Sequence, residues 1–342
     1  MKFNSVKANT ITHRAAWFST RPMIVLLVLA GLTQLCGCKT TFLQITPKQA
    51  ELSQPTTVPL DMRSGLPIVS VLINGQGPYR LLLDTGAEIT CLNRRVMREL
   101  NLPPSDYKWQ QFTTSSGKLN IKSYKHIQTM TIGNAQLKNL DAMEIGITSD
   151  VISQNIPIDG LLSVRVFYNL LMTIDYQDNQ LTIAPYQSIP LNSPNTYKSY
   201  LKYSIHQIVD LKVGHQTMPF IIDSGSSMGF CFLNHPGNEV TWIREPRLTH
   251  AVQTVYGKNS NVYKGQIREN IQIGETLILS PAVYNIISPD FIMAGPDQKK
   301  IIIKERTSLL GADVLKLFNV TFDQRAEHIR FKPNSAVENQ AY

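Results

Sequence analysis

The sequence contains one short motif twice, and this duplication limits the folds that the chain can adopt. A first apolar run ends at Asp84, in the triplet Asp-Thr-Gly, and a second ends at Asp223, in Asp-Ser-Gly. Each triplet is typical of a buried strand that stops at a tight turn, because a small hydroxyl side chain can bond the backbone there. A buried acid is costly without a partner. The repetition therefore indicates that the two aspartates are partners.

The sequence around each motif is also duplicated. Gly75 precedes Asp84 by nine residues, and Gly214 precedes Asp223 by the same nine. Further along, residues 161–185 match residues 309–333 at a constant offset of 148 positions. A period this long excludes a stack of short repeats and predicts two similar units.

These residues resemble the aspartic peptidases of the pepsin and retropepsin type. In that family each lobe carries Asp-Thr/Ser-Gly and, later, two apolar residues followed by glycine. Residues 309–311 (Leu-Leu-Gly) look like this second element, and residues 161–162 (Leu-Leu) are similar to its first-lobe counterpart. The resemblance covers about residues 65 to 335. It implies a mainly β fold with two similar lobes of the closed β-barrel type and a catalytic cleft between them.

The resemblance assigns the catalytic role to Asp84 and Asp223. Two carboxyls a few ångströms apart cannot both ionise readily, so such a pair holds one proton. The ionised member can draw a proton from a water that attacks a peptide carbonyl, while the protonated member supports the oxyanion. The resemblance also implies that hydroxyls tie the two turns together and that glycines admit the carboxylates. The supporting residues would be Thr85, Gly86, Ser224 and Gly225.

Ala87 and Ser226 occupy the position two places after the hydroxyl residue in each motif, and both are candidates for substrate binding. Ser226 could donate a hydrogen bond to the carboxylate of Asp223, whereas Ala87 offers no hydroxyl to Asp84. We therefore expect the anion to be less stabilised than two serines would make it. Activity is expected at mildly acidic pH, about 4 to 6.

The sequence departs from the family where the substrate would be covered. The first lobe has no convincing tyrosine for a pepsin-like flap, and its hairpin is predicted over residues 112–119, with Ser116 and Gly117 as candidate substrate-binding residues. In the second lobe, a hairpin with Tyr256 and Gly257 would face the cleft. A plain surface turn explains that segment equally well.

One further departure is Ser163, which stands where the family usually has glycine. Cys91 and Cys231 follow their aspartates at matching places, so we expect small strand residues that line or underlie the cleft, with Cys91 a candidate substrate contact. The alternative, a disulfide, would have to cross the active site. No Cys-x-x-Cys or His-Glu-x-x-His spacing indicates a metal, and no cofactor is expected.

The N-terminal segment resembles a bacterial lipoprotein signal. Basic residues precede an apolar run over residues 23–32, and Gly37 precedes Cys38, which would be lipidated after removal of residues 1–37. The alternative is an uncleaved anchor, but the run is shorter than the ~20 residues that span a membrane. The resemblance implies a lipid-anchored protein of the bacterial cell envelope that faces the periplasm. Lys39 lacks the aspartate of an inner-membrane signal, which favours the outer membrane.

The charge of the chain gives no sign of a nucleic-acid partner. Residues 1–37 contain four basic and no acidic residues, so their removal lowers the formal charge from +8 to +4. No Lys/Arg block with interleaved aromatic residues is present. Turn and linker signals divide the chain into predicted segments. These are the signal peptide 1–37, the tether 38–64, the N-terminal lobe 65–185, the linker 186–199, the C-terminal lobe 200–335 and the tail 336–342.

The sequence thus predicts a monomeric aspartic endopeptidase, because one chain supplies both aspartates. Its partners would be a peptide or protein substrate and the membrane that holds its lipid anchor. The alternative is a catalytically weak or inactive lipoprotein of the same fold that binds peptides or envelope proteins.

Overall fold

The computed structural model describes residues 9–12, 49–87, 89–106, 112–114, 117–119, 124–145, 156–202, 206–233, 239–253, 259–287, 292–294, 300–302 and 308–335. These residues are mainly β, as predicted. Within them, no helix combines the length and the apolar character that crossing a membrane requires. The predicted lipidation site, Cys38, lies outside the described residues.

The N-terminal half consists of short strands and two single-turn helices. Its strands are β1 (Asn9–Thr12), β2 (Gln49–Glu51), β3 (Thr56–Pro59), β4 (Ile68–Ile73), β5 (Gln76–Asp84), β6 (Cys91–Asn93), β7 (Phe112–Thr114), β8 (Gly117–Leu119), β9 (Tyr124–Ile132), β10 (Ala135–Ile145), β11 (Gly160–Ser163), β12 (Leu170–Asp175) and β13 (Gln180–Pro185). Helix α1 (Arg94–Glu99) follows β6, and a 3₁₀ helix (Val164–Phe167) follows β11. The Asn93 side chain caps α1 by accepting a hydrogen bond from the Val96 N–H at 2.9 Å.

Six of these strands close into a barrel. The pairs are β4–β5, β5–β11, β11–β6, β6–β10, β10–β9 and β9–β4, of which β5–β11 and β6–β10 are parallel. Closure leaves no unpaired edge. Alternation along β4 buries Val69, Val71 and Ile73 and exposes Ser70 and Leu72, so one face of the strand fills the barrel interior.

The C-terminal half repeats this order of pairings. Its strands are β14 (Thr196–Lys202), β15 (His206–Val213), β16 (Gln216–Asp223), β17 (Phe230–Leu233), β18 (Trp242–Gln253), β19 (Asn259–Ile267), β20 (Ile271–Ile273), β21 (Thr276–Leu279), β22 (Ala282–Ile287), β23 (Ile292–Ala294), β24 (Lys300–Ile302), β25 (Ser308–Gly311), β26 (Phe318–Asp323) and β27 (His328–Pro333). Helix α2 (Ala312–Leu315) follows β25. β15 is antiparallel to β16, β16 parallel to β25, β25 antiparallel to β17, and β17 parallel to β22.

Six consecutive antiparallel strands at one end of a 16-stranded sheet join the two halves, in the order β14-β27-β26-β12-β13-β3. At the centre of these six strands β12 pairs with β26, and Thr173 is the register partner of Thr321. The two hydroxyl oxygens are 2.9 Å apart. These threonines are separated by the same 148 positions as the duplicated block, so the repeats meet each other at corresponding residues.

Two predicted boundaries differ from the structure. β2 pairs with β10, and β3 pairs with β13, so the part of the predicted tether from residue 49 onwards belongs to the folded sheets. The proline and polar residues of this segment made its sequence look like a linker. They are compatible with β3 because it is an edge strand, where proline is tolerated. In the predicted linker, the buried Ile189 N–H donates to Asp323 Oδ2 at 2.8 Å, and β14 begins at Thr196.

One short strand lies within the predicted signal peptide. β1 pairs in parallel with β21, with Asn9 opposite Thr276 and Thr12 opposite Leu279. The removal of residues 1–37 remains a prediction.

Candidate active site

Asp84 and Asp223 stand at the ends of two buried strands. Asp84 is the last residue of β5 and the register partner of Ser163 in β11. Asp223 is the last residue of β16 and the partner of Gly311 in β25. Their exposed fractions are only 0% and 3%. Two buried acids raise the free energy of the folded state unless surrounding groups stabilise them.

Thr85 and Ser224 connect the two strand ends through a reciprocal set of hydrogen bonds. The Thr85 N–H donates to Ser224 Oγ at 3.0 Å, and the Ser224 N–H donates to Thr85 Oγ1 at 2.9 Å. Each hydroxyl then donates to the carbonyl before the other aspartate, Thr85 to Ile222 O and Ser224 to Leu83 O, both at 2.7 Å. Each hydroxyl thus donates one hydrogen bond and accepts one, all between the halves, which fixes the two aspartates relative to each other.

Gly86 and Gly225 bring the backbone against the carboxyls. The Gly86 N–H donates to Asp84 Oδ1 at 2.9 Å, and the Gly225 N–H donates to Asp223 Oδ1 at 3.0 Å. A Cβ at Gly86 would lie 2.7 Å from Asp223 Cγ, and one at Gly225 would lie 2.6 Å from Asp84 Cγ. Each carboxyl therefore rests against the glycine of the other motif, a position that no larger residue can share.

The pair of carboxyls is poised to hold one proton. Burial raises the pKa of Asp84 to about 7, and backbone N–H groups of its own turn oppose the shift. Burial, followed by the charge of Asp84, raises the pKa of Asp223 well above its usual range. Because the two groups influence each other, they titrate as a unit, and the second proton is lost with more difficulty than the first.

One oxygen of the pair receives no hydrogen bond from the surrounding turns. Asp84 Oδ2 is buried, no described N–H or hydroxyl donates to it, and the group that faces Asp84 is the Asp223 carboxyl. A buried acceptor of this kind is where a water or a substrate group would bind. Over the same described ranges, no group of three or more His, Cys, Asp or Glu side chains is arranged to hold a metal ion.

Tyr176 and Cys231 lie within electrostatic reach of Asp223. Burial raises the pKa of each, and the charge of Asp223 raises it further. Both groups are therefore neutral at ordinary pH and add no charge beside Asp223.

The structure places both cysteines inside the protein. Cys91 and Cys231 are thiols with exposed fractions of 0%. The Cys91 thiol donates to Ile89 O at 3.4 Å, so Cys91 underlies the turn, and its contact with substrate stays a prediction. Ala87 and Ser226 are buried beside the two aspartates.

The hydroxyl of Ser226 differs from its predicted role. Ser226 Oγ accepts a hydrogen bond from the Met228 N–H at 3.3 Å, and the pKa of Asp223 responds to the Ser226 backbone N–H. The sequence led us to expect that a serine hydroxyl beside Asp223 and an alanine beside Asp84 would make the two carboxyls differ. This difference is therefore not what distinguishes the two aspartates.

The hairpin predicted over residues 112–119 is present. Gly117 begins β8 and is the register partner of Thr114 in β7, and β7 lies next to β23 of the C-terminal half. Ser116, at the turn of this hairpin, lies outside the described residues. So do Tyr256 and Gly257, which fall between the paired strands β18 and β19.

Sequence reasoning missed two residues that support Asp84. Ser163 Oγ donates to Ala87 O at 2.7 Å, and the Ser163 N–H donates to Thr90 Oγ1 at 3.3 Å. The available signal was the serine at a position where the resemblance led us to expect glycine. Thr90 gave no signal of its own, because its partner is 73 positions away.

Comparison with known proteins supports this part of the chain. The model of a family described as aspartyl protease matches residues 69–166, which contain the first Asp-Thr-Gly motif and almost the whole closed barrel. No curated protein matches the chain. The barrel region is therefore similar to aspartyl proteases, and an aspartic protease is the class of protein that the fold and the paired carboxyls favour.

We expect stability to fall as pH rises from about 4 to about 7. In the folded protein Asp84 keeps its proton up to about pH 7, whereas an unfolded aspartate loses it near pH 4. The unfolded state therefore binds fewer protons in this interval, and the free energy of unfolding falls with pH, by about 4 kcal/mol for a shift of about three units. Urea unfolding at a series of pH values measures this slope.

The matched variants are the double substitution Asp84→Asn with Asp223→Asn and the exposed Asp178→Asn. The double variant should lose most of the slope and exceed the wild type in stability at pH 7. Asp178→Asn should keep the slope. Parallel curves for the wild type and the double variant would show that the carboxyls are not protonated at neutral pH.

Proposed function

We propose that the protein is an aspartic endopeptidase, which hydrolyses peptide bonds with a water activated by Asp84 and Asp223. The observation that carries the proposal is the reciprocal hydrogen bonding of Thr85 and Ser224, which holds two buried carboxyls face to face. The aspartyl protease match over residues 69–166 supports it independently.

The proposal includes two similar lobes, residues 65–185 and 200–335, with the catalytic cleft between them. The matching order of strand pairings in the two halves supports this arrangement. The meeting of Thr173 and Thr321 supports it as well, because corresponding residues of two repeats touch where an approximate twofold axis passes between them. The β7–β8 hairpin would cover the cleft from the first lobe.

The chemistry follows from the shared proton. The ionised carboxyl, with Asp84 Oδ2 as its available oxygen, would take a proton from a water as that water attacks the peptide carbonyl. The protonated carboxyl would donate a hydrogen bond to the carbonyl oxygen, where negative charge develops. The proton then passes to the leaving amine. Because Thr85 and Ser224 hold both carboxyls in place beforehand, little reorganisation is needed during the reaction.

We also propose a location and a substrate class from the N-terminal sequence. Lipid attachment at Cys38 would hold the enzyme to the bacterial envelope, facing the periplasm and favouring the outer membrane. The substrates would then be peptides or proteins of that compartment. No cofactor enters the proposed reaction, since both proton-transfer groups are side chains of this chain.

Asp84→Asn and Asp223→Asn should each lower kcat/KM for peptide cleavage at least about a thousandfold, because a shared-proton pair needs both carboxyls. The change keeps the shape of the side chain, so the Thr85–Ser224 contacts should persist. Cleavage of a diverse peptide library, read by mass spectrometry, supplies substrates, and initial rates on the best of them supply the constants.

Asp178→Asn serves as the control, since this exposed aspartate lies in the turn between β12 and β13, and it should retain full activity. Substantial activity in either active-site variant would refute the assignment of the pair. If the wild type binds peptides without cleaving any member of the library, the protein is instead a peptide-binding module that keeps the fold.

The acid limb of the pH profile should lie near pH 7. Below the pKa of Asp84, which burial raises to about 7, both carboxyls are protonated and neither can accept a proton from water. The activity should therefore fall as pH decreases from 7. This acid limb lies at a higher pH than the activity range of 4 to 6 expected from the sequence alone. The profile of kcat/KM reports this pKa in the free enzyme. A limb below pH 5 in folded protein would contradict it.

The enzyme should act as a monomer, because the hydrogen bonds that join the two aspartates are made within one chain. Specific activity should stay constant on dilution over about three decades of concentration, with light scattering used to follow mass. A specific activity that falls as a dimer dissociates would instead show that two chains form the site.

A further inference from the structure

The two halves differ in the loop that follows each aspartate. From Asp84 to Cys91 is seven positions, whereas from Asp223 to Cys231 is eight. Both cysteines occupy corresponding strands, since Cys91 in β6 pairs with Leu161 and Cys231 in β17 pairs with Leu309. The loop after Asp84 is thus one residue shorter, although both loops connect the same strands of their halves.

In the C-terminal half, backbone groups of β25 and α2 contact the loop after Asp223. The Ala312 N–H donates to Ser226 O at 2.7 Å, and the Gly311 N–H donates to Gly229 O at 2.9 Å. The loop backbone lies so close that a Cβ at Gly311 would be 2.0 Å from Met228 O. Glycine is therefore required at position 311, because any side chain would push the loop away.

In the N-terminal half, hydroxyl groups replace both of these backbone contacts. Ala87 O, which corresponds to Ser226 O, accepts its hydrogen bond from Ser163 Oγ at 2.7 Å. The Ser163 N–H, which corresponds to that of Gly311, donates to Thr90 Oγ1 at 3.3 Å. The Arg165 N–H donates to Ser163 Oγ at 3.2 Å, so the hydroxyl oxygen is itself oriented. A Cβ fits at position 163 because the shorter loop does not approach this position as closely as Met228 approaches Gly311.

We propose that Ser163 and Thr90 form a hydroxyl bridge that positions the Asp84 loop, in place of the backbone contacts that the longer loop makes around Asp223. Ser163 is thus a positioning residue for Asp84, a role that rests on the proposed function of the pair. The serine at 163 and the threonine at 90 together compensate for the residue that the loop after Asp84 lacks.

The bridge acts on Asp84 through Ala87. The Ala87 N–H donates to the Asp84 backbone carbonyl at 3.3 Å, and this N–H, close to the Asp84 carboxyl, lowers the carboxyl's pKa against the effect of burial. Ser163 fixes the carbonyl of Ala87, so loss of the hydroxyl would let this N–H move away. The other titratable or charged groups around Asp84 are its partner Asp223, then Tyr176 and Cys231 near Asp223, together with the buried Arg165 beyond Ser163.

The first test compares Ser163→Ala with Ser163→Thr in the full chain. Ser163→Ala should raise the pKa of the carboxyl pair by about one unit, visible both as an upward shift of the acid limb and as a loss of stability that continues beyond pH 7, to about pH 8. It should lower kcat about tenfold or more while KM changes little. Ser163→Thr keeps the hydroxyl and should restore the wild-type profile.

The matched control is Thr173→Val, which removes a hydrogen-bonded hydroxyl from the central sheet, away from the loop. It should lower stability at every pH by a similar amount and leave the pKa of the pair in place. If Ser163→Ala behaves like Thr173→Val, the serine has only a structural role and the proposal is wrong.

The second test exchanges the loop. Residues 88–90 are replaced by the four residues 227–230 of the C-terminal half, with and without Ser163→Gly. The longer loop alone should unfold or inactivate the protein, because its backbone would clash with the Ser163 side chain. The clash would resemble the one between Met228 O and a Cβ at Gly311. Adding Ser163→Gly should recover folding, whereas Ser163→Gly in the native loop should not improve it. If the exchange has the same effect with and without Ser163→Gly, the serine does not compensate for the shorter loop and this part of the proposal is wrong.

The stability measurements keep this inference separate from the proposed function. They report the pKa of the carboxyl pair whether or not the protein cleaves peptides. A wild type without peptidase activity but with the Ser163→Ala shift would refute the endopeptidase and keep the bridge. Peptide cleavage with an unmoved pKa in folded Ser163→Ala would refute the bridge and keep the enzyme.

Discussion

The structure depends on the hydrogen bonding between Thr85 and Ser224. Two fully buried carboxyls lie at the ends of β5 and β16, in a setting that penalises their charge. The two hydroxyls join these strand ends, and each donates to a carbonyl of the opposite half. With this link in place, Gly86 and Gly225 can pack against the facing carboxyls. Without it, the acids would repel each other once either half moved, and the site would have no fixed geometry.

The two halves reach similar geometry by different means. Around Asp223 the loop and strand contact each other through backbone groups, and glycine at 311 is the consequence. Around Asp84 the loop is shorter, and side-chain hydroxyls complete the same contacts. A contact made by the backbone restricts the size of the side chain at that position. A contact made by a side chain instead requires a particular residue type there. A duplicated site can therefore diverge in sequence at 163 and 311 while its two carboxyls remain face to face.

Much of the fold was accessible from local patterns. The duplicated motifs and the resemblance that they carry implied a mainly β chain, and turn residues predicted the hairpin over residues 112–119. The predicted tether hid β2 and β3, because edge strands are short and tolerate proline, so their sequence looks like a linker. The partners of Ser163 and of Ser226 were also missed or misassigned, because hydroxyl bonds depend on loop path rather than on spacing.

The sequence by itself determined that two acids would matter, since an unusual triplet recurs at the end of an apolar run in a duplicated chain. It determined neither their environment nor their proton affinity. Those came from the tertiary structure, which buries both carboxyls, sets the charge of Asp84 beside Asp223 and raises the pKa of both. The reason is physical: strand pattern and turn chemistry are local, whereas desolvation and the approach of residues 139 positions apart exist only once the sheets have joined.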